Sequence, residues 1–235
     1  MRRLLISLRV LWPYIAGIML LVGYLNDLHG IYGNYIKQKR AEDDLELLNT
    51  GVSIQHVKSV FGSPIVEQHD KENGLSEYVY SFKRFYLQTV FNNNNEVIFF
   101  AVTSKDKSFH PTVPYLNDNL GKTFYALSNN YSENQANYSS KFFEYNENIY
   151  LGNMGNYRNV YLAFNPAGVD YGDIEMLPLD EMPTPSDEVS DSFRKKSHPN
   201  TYGVGRIMGG RNDHETIFGV GIEYFTSRDL PEHQY

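Results

Sequence analysis

Seven histidines are the side chains of this 235-residue sequence best suited to metal binding or general-base work, and they are scattered: His29, His56, His69, His110, His198, His214 and His233. Only Asp213-His214-Glu215 forms a local cluster. A His-Glu pair can open the His-Glu-x-x-His helix of a zinc hydrolase, where two imidazoles four residues apart share one face and the carboxylate serves as base. Phe218 stands where the second imidazole is required, so the spacing excludes that site and the cluster reads as a solvated hairpin turn. A hydrolase with dispersed residues such as Asp213, His214 and Glu215 stays open only as a distant alternative. Gly203-Val-Gly205 and Gly219-Val-Gly221 lack the Gly-Lys-Ser/Thr and the following helix of a phosphate loop, and read as glycines for close strand approach. No Gly-x-Ser-x-Gly elbow is present for acyl transfer. The absence of cysteine excludes disulfides, thiolate ligands, a cysteine nucleophile and a lipidated N-terminal cysteine. No catalytic residue, cofactor or metal is expected, and the chain reads as a protein that is not an enzyme.

The elements that must position any site begin with residues 4–25, LLISLRVLWPYIAGIMLLVGYL, 22 residues with the single charge Arg9. A helix of that length reaches roughly 33 Å, enough for a hydrocarbon core of about 30 Å. Leu4, Leu11, Trp12, Ile15, Ile18, Leu21 and Leu25 are its apolar body. The run is too long for a secretory signal and lacks small residues at a cleavage site, which favours an uncleaved anchor. Arg2 and Arg3 precede it and Arg9 lies near its start, whereas Lys37, Lys39 and Arg40 follow more than ten residues after its end, so the N-terminus is expected inside. With 21 basic residues against 28 acidic ones the net charge is −7, which disfavours phosphate backbones, and nucleic acid is not an expected partner.

Beyond the anchor segment (1–30), residues 31–50 read as a juxtamembrane helix with a solvated charged face. In 51–104, Ser53 can cap a helix whose stripe is Ile54, Val57, Val60 and Phe61, closed by Gly62 and Pro64, with His56 and Lys58 off the stripe. Strands are expected at 65–68, 78–91 and 96–103, with turns at 71–74 and 92–95. Tyr78, Tyr80 and Phe82 share one parity while Phe85, Leu87, Thr89 and Phe91 share the other, so a bulge or turn near Lys83-Arg84 is required to put them on one face.

This segment, with GVSIQHVKSVFGSP, YVYSF and TVFNNNNEVIFFAV, resembles the SmpA/OmlA family of BamE-like envelope lipoproteins, the resemblance being carried by Gly51, Phe61-Gly62, Pro64, Tyr80, Phe91 and Val97 over residues 47–103. It implies two helices packed on a three-stranded antiparallel sheet, and a scaffolding role in outer-membrane barrel assembly. The family's lipidated cysteine is missing here and a transmembrane helix stands in its place.

Residues 105–174 read as a second β-rich unit: a connector at 104–119, a short helix in 121–127, a polar loop at 128–140, and strands at 141–151 and 157–164. Phe164-Asn165 before Pro166 echoes Phe91-Asn92, and a degenerate repeat of the first unit and chance resemblance stand level. Residues 175–200, with four prolines and six acids, read as a linker or surface loop, and 201–235 as a C-terminal hairpin around Gly209-Gly210-Arg211-Asn212, and tail. The expected fold class is α+β, an N-terminal transmembrane helix followed by short helices on antiparallel sheet, with a tandem of two such units left open. The expected function is non-enzymatic binding or scaffolding for another envelope protein, in the bacterial inner membrane with the C-terminal part periplasmic. A membrane-bound small-molecule sensor is the first alternative. The expected partners are the bilayer and that envelope protein.

Overall fold

The computed structural model describes residues 17–25, 32–33, 35–152, 158–172, 174–206 and 218–231. The chain falls into two compact units, Met1–Asp43 and Asp44–Tyr235. In the first, residues 17–25 are helical, with Ile18, Leu21 and Leu25 exposed; Leu4, Leu11, Trp12 and Ile15 lie outside the described residues. Among those described, no helix is long and apolar enough to cross a membrane. A second helix, 35–44, forms where the sequence lacks Gly and Pro, supported by the (i, i+4) pairs Gln38 to Glu42 at 2.8 Å and Lys39 to Asp43 at 3.2 Å.

The second unit is mixed α+β and is built on one eight-stranded antiparallel sheet. Its strands are β1 (Val66–Asp70), β2 (Leu75–Ser81), β3 (Phe85–Phe91), β4 (Val97–Ser104), β7 (Glu133–Tyr138), β8 (Phe143–Tyr150), β9 (Arg158–Phe164) and β10 (Thr201–Arg206); a separate short pair is β5 (Thr112–Val113) with β6 (Asp118–Asn119). The order is β1-β2-β3-β4-β10-β9-β8-β7. Each half therefore runs from an outer edge to the centre, where β4 meets β10 with Thr103 opposite Thr201 and Ala101 opposite Gly203. Gly203 is needed there: a Cβ on it would lie 2.9 Å from the Phe99 ring.

Each half also opens with a capped helix. Helix α1 (Ile54–Phe61) starts at Ser53, whose hydroxyl accepts from the His56 N–H, and α2 (Phe124–Leu127) starts at Thr123, whose hydroxyl accepts from the Ala126 N–H. Gly51 and Gly121, two residues before each cap, have φ of 93° and 96°. Each half then turns at Phe-Asn. The Asn92 side chain accepts from the Asn94 N–H at 2.9 Å and its carbonyl from the Asn95 N–H at 2.9 Å; Asn165 accepts from Ala167 at 2.9 Å and Gly168 at 3.0 Å in the same way.

Strand parity sorts the side chains onto two faces. The turn at Lys83-Arg84 brings the two aromatic parities together: Tyr78 meets Phe91 at 5.1 Å and Phe82 stacks on Phe85 at 4.6 Å. Phe61 closes on this face, 6.1 Å from both Tyr80 and Phe82, while Val57 is fully buried and Ile54 and Val60 half-buried. Helices α2 and α3 (Asp187–Lys196) cover the same face over the second half, with Phe124 on Tyr145 at 5.2 Å and Phe193 on Tyr145 at 4.6 Å.

Three sequence expectations are corrected here. Residues 133–138, read as polar loop, are the edge strand β7, because pairing with β8 outweighs the poor strand propensity of Glu and Asn. Residues 187–196, read within a linker, form α3, whose Phe193 and Arg194 are buried. The hairpin over 201–225 is not seen among the described residues: β10 pairs with β4 and β9, Gly219 and Gly221 lie outside any strand, and Tyr224–Asp229 is a helix, α4, capped by the Glu223 carboxylate. The turn Gly209-Gly210-Arg211-Asn212 lies outside the described residues.

On the opposite face, over the first half, residues 218–223 lie across the sheet as a strap. Phe218 and Val220 pack on Leu75, Val90, Ile98 and Phe99, and Ile222 joins Val79 and Tyr86. Gln88, fully buried, pins this strap: its Oε1 accepts from the Gly221 N–H at 2.9 Å and its Nε2 donates to Glu77 at 2.5 Å. Burial, reinforced by the nearby Glu223 charge and opposed by the Gln88 donor, pushes the Glu77 carboxyl up from its ordinary 4.5 to about 7. Below pH 4.5 this group is neutral whether the chain is folded or not. Between 4.5 and 7 only the unfolded chain ionises, so stability falls as pH rises, by about 3 kcal/mol in all, and is flat above. Glu77→Gln should remove that slope. Urea midpoints of the two proteins at pH 5 and pH 8 check this, and parallel pH dependence in both would refute it.

Candidate functional site

Among the described residues the sequence-predicted chemistry does not converge. His56 is exposed, His69 Nδ1 lies 2.8 Å from the Ser76 hydroxyl, and His110 Nδ1 lies 2.9 Å from the Leu120 carbonyl oxygen. His198 lies just past α3; His29, His233 and the Asp213-His214-Glu215 cluster lie outside the described residues. Among the described residues no group of His, Asp and Glu could hold a metal ion.

A buried ionic network, which the sequence reading missed, underlies the second half. Arg194 on α3 and Glu147 on β8 are both fully buried, with the guanidinium donating to the carboxylate at 2.7 and 3.3 Å and to the Ser128 carbonyl at 2.6 Å. The Tyr145 hydroxyl donates to the same carboxylate at 3.3 Å. Burial pushes Glu147 up, and the paired guanidinium works against that shift. Arg194 also sits over the Tyr131 ring at 4.8 Å. This network fixes α3 and, through Asn134 Nδ2 donating to Ser190 at 2.6 Å and the Tyr131 hydroxyl donating to Asp187 at 3.1 Å, holds the start of β7 in place. Burial and the Asp187 charge keep that hydroxyl protonated above its ordinary range.

The other face of this half has a different character. Where the first half carries apolar side chains under the strap, the second carries amides: Asn137 lies opposite Glu144, Gln135 opposite Asn146, and Asn148 between Glu133 and Tyr161. Side chains so placed stand about 5 Å apart across strands, and each amide among them carries both a donor and an acceptor. Two cavities open on them. One, of about 390 Å³, is bounded by Gln135, Asn137, Glu144, Asn146, Asn165 and the strap at Gly219-Val220. The other, of about 420 Å³, runs round the outer edge of β7 past Tyr131, Glu133, Asn134, Asn148 and Asp187. They share Gln135 and Asn146 as walls, and among the described residues no lysine or arginine lines either. Asn148 is only 7% exposed, and its Oδ1 has no hydrogen-bond partner among the described residues. An amide oxygen buried in that state carries a desolvation cost that a bound donor would relieve. The signal available in the sequence was the alternation of Asn, Gln and Glu at every second position of ENQANY and FEYNEN.

Neither a family model nor a curated protein sequence matches the chain. Solved structures that resemble it include a cysteine-rich secretory protein from Staphylococcus aureus, 11% identical over 73% of this chain and 48% of that one, with a TM-score of 0.38. An extracellular protein containing a SCP domain from Bacillus anthracis is 12% identical over 72% of this chain and 46% of that one, with a TM-score of 0.36. The chain spans about half the length of these solved chains.

Proposed function

We propose that this chain is a membrane-anchored, non-enzymatic binding module of the bacterial envelope, tethered by residues 4–25 with its N-terminus inside and its sheet in the periplasm, where it contacts another envelope protein. The observation that carries the reading is the amide face of β7–β9. It is a polar surface on paired strands, with side chains positioned by the register. Such a surface suits recognition, in which many modest contacts add up on a preorganised scaffold. The anchor is supported by sequence, since the apolar run is long enough to span and carries its basic residues on one side.

Kinship with the BamE-like family is part of the same proposal. It is supported by the capped helix α1 between Gly51 and Gly62 and by the meander through Tyr80, Phe91 and Val97. The second half as a degenerate repeat of the first is supported by the matched glycines, caps and Phe-Asn turns, and by the mirrored strand order. A small-molecule binder is the second reading, favoured by the two adjoining cavities.

The test is in vivo crosslinking, then carbonate washing of the membranes, detergent extraction of the full chain and identification of its partners by mass spectrometry. One specific envelope protein is expected in the crosslinked species, and the chain itself in the carbonate pellet. Extraction by carbonate would refute the anchor, and a lone polypeptide would refute the scaffold.

A further inference from the structure

We propose that the amide face of β7–β9 binds a neutral, polyhydroxylated ligand, a glycan chain laid across the strands through the two adjoining cavities. The inference rests on the reading of the chain as a binding module and names the chemistry of its ligand. A sugar hydroxyl is both donor and acceptor, and so is a carboxamide, so a row of amides can satisfy successive hydroxyls without any net charge. Gln135 and Asn146 stand in both cavities, and Asn148 supplies a buried acceptor that still lacks a donor among the described residues. Tyr131 adds an aromatic wall beside them.

Other ligand classes fit less well. Phosphate, sulfate and nucleic-acid backbones need cations, and among the described residues no lysine or arginine lines either cavity. Acyl chains need a continuous apolar floor, and here Ala163, opposite Asn146, is set among Asn, Gln and Glu side chains. Cationic peptides would need free carboxylates. Two of those present are already engaged by neutral donors: Glu144 accepts from Asn137 Nδ2 at 2.7 Å, and Asp187 from the Tyr131 hydroxyl at 3.1 Å.

Saturation-transfer NMR on the full chain, in a detergent without sugar headgroups, tests this with three probes: chitotetraose, maltotetraose and tetralysine. Transfer to at least one of the two oligosaccharides is expected, with affinity falling about tenfold in Asn148→Ala, about the worth of one well-made hydrogen bond. Because Asn148 is buried, Gln135→Ala at an exposed position is the companion variant, and it should weaken binding at unchanged melting temperature. His56→Ala, on α1, should bind as the parent does. Silence of both oligosaccharides, undiminished transfer in both amide variants, or transfer to tetralysine alone would overturn the proposal. If the oligosaccharides fail while the crosslinked protein partner is still recovered, the glycan inference falls and the binding-module reading stands.

Discussion

Arg194→Met should cost about 3–5 kcal/mol of folding stability, because it leaves the Glu147 carboxylate buried with no cation beside it. The loss is that of the partner stranded, rather than the worth of the pair. Glu147 keeps the Tyr145 hydroxyl at 3.3 Å, but one neutral donor does not replace a two-pronged guanidinium. Glu147→Leu should cost as much for the mirrored reason, with Arg194 then left, among the described residues, to the Ser128 carbonyl, the Tyr131 ring and the half-exposed Asp191 at 3.8 Å. The double variant should recover most of either loss, since a well-packed apolar pair in a desolvated site is often as stable as the ion pair it replaces. Urea unfolding of the full chain in detergent, followed by near-ultraviolet circular dichroism of the tyrosines, reads all three. Single variants within about 1 kcal/mol of the parent would mean that water reaches the pair and that α3 is not seated as described.

A comparable loss, about 3–5 kcal/mol, is expected from Phe61→Ala, which removes a ring only 1% exposed from its place 6.1 Å from Tyr80 and Phe82. The helix around it has two turns and cannot collapse far into the space left behind. His56→Ala, on the same helix and exposed, should stay within about 0.5 kcal/mol, because its backbone N–H, not its ring, serves the Ser53 cap. Equal melting temperatures for the two variants would show that α1 does not bury the face assigned to it.

How far these features were legible depends on which physical signal announced them. The α1 stripe and its Ser53 cap were readable because polar and apolar residues alternate at the helical period and because glycine and proline stop the run. The meander from β1 to β4 was readable because its aromatics alternate and its turns carry Asn and Gly. Arg194 and Glu147 were not, since each is an ordinary surface residue by type and only the fold brings them together across 47 positions. Edge strand β7 was missed because its residues have loop-like propensities and gain their strand geometry from pairing with β8. The place of β10 at the centre, rather than in a hairpin, is a matter of topology that local pattern does not encode. The amide face was written in the alternation of β7 and β8, but it becomes visible as a face only once the register with β9 is known.

The central pairing of β4 with β10 bears on how the protein is made. Thr103 meets Thr201 across 98 positions of chain, so on the ribosome the first meander is complete long before its neighbour exists. During that interval Val97–Ser104, a run of VIFFAVTS, is a free sheet edge with one whole row of backbone donors and acceptors unsatisfied. Such an edge is apolar, uncharged and free of proline, the composition that adds foreign strands most readily. The natural occupant, β10, is the last in chain order of the strands among the described residues. Completing this sheet is therefore a late capping event, and a nascent chain stalled before residue 201 is the species most in need of a chaperone.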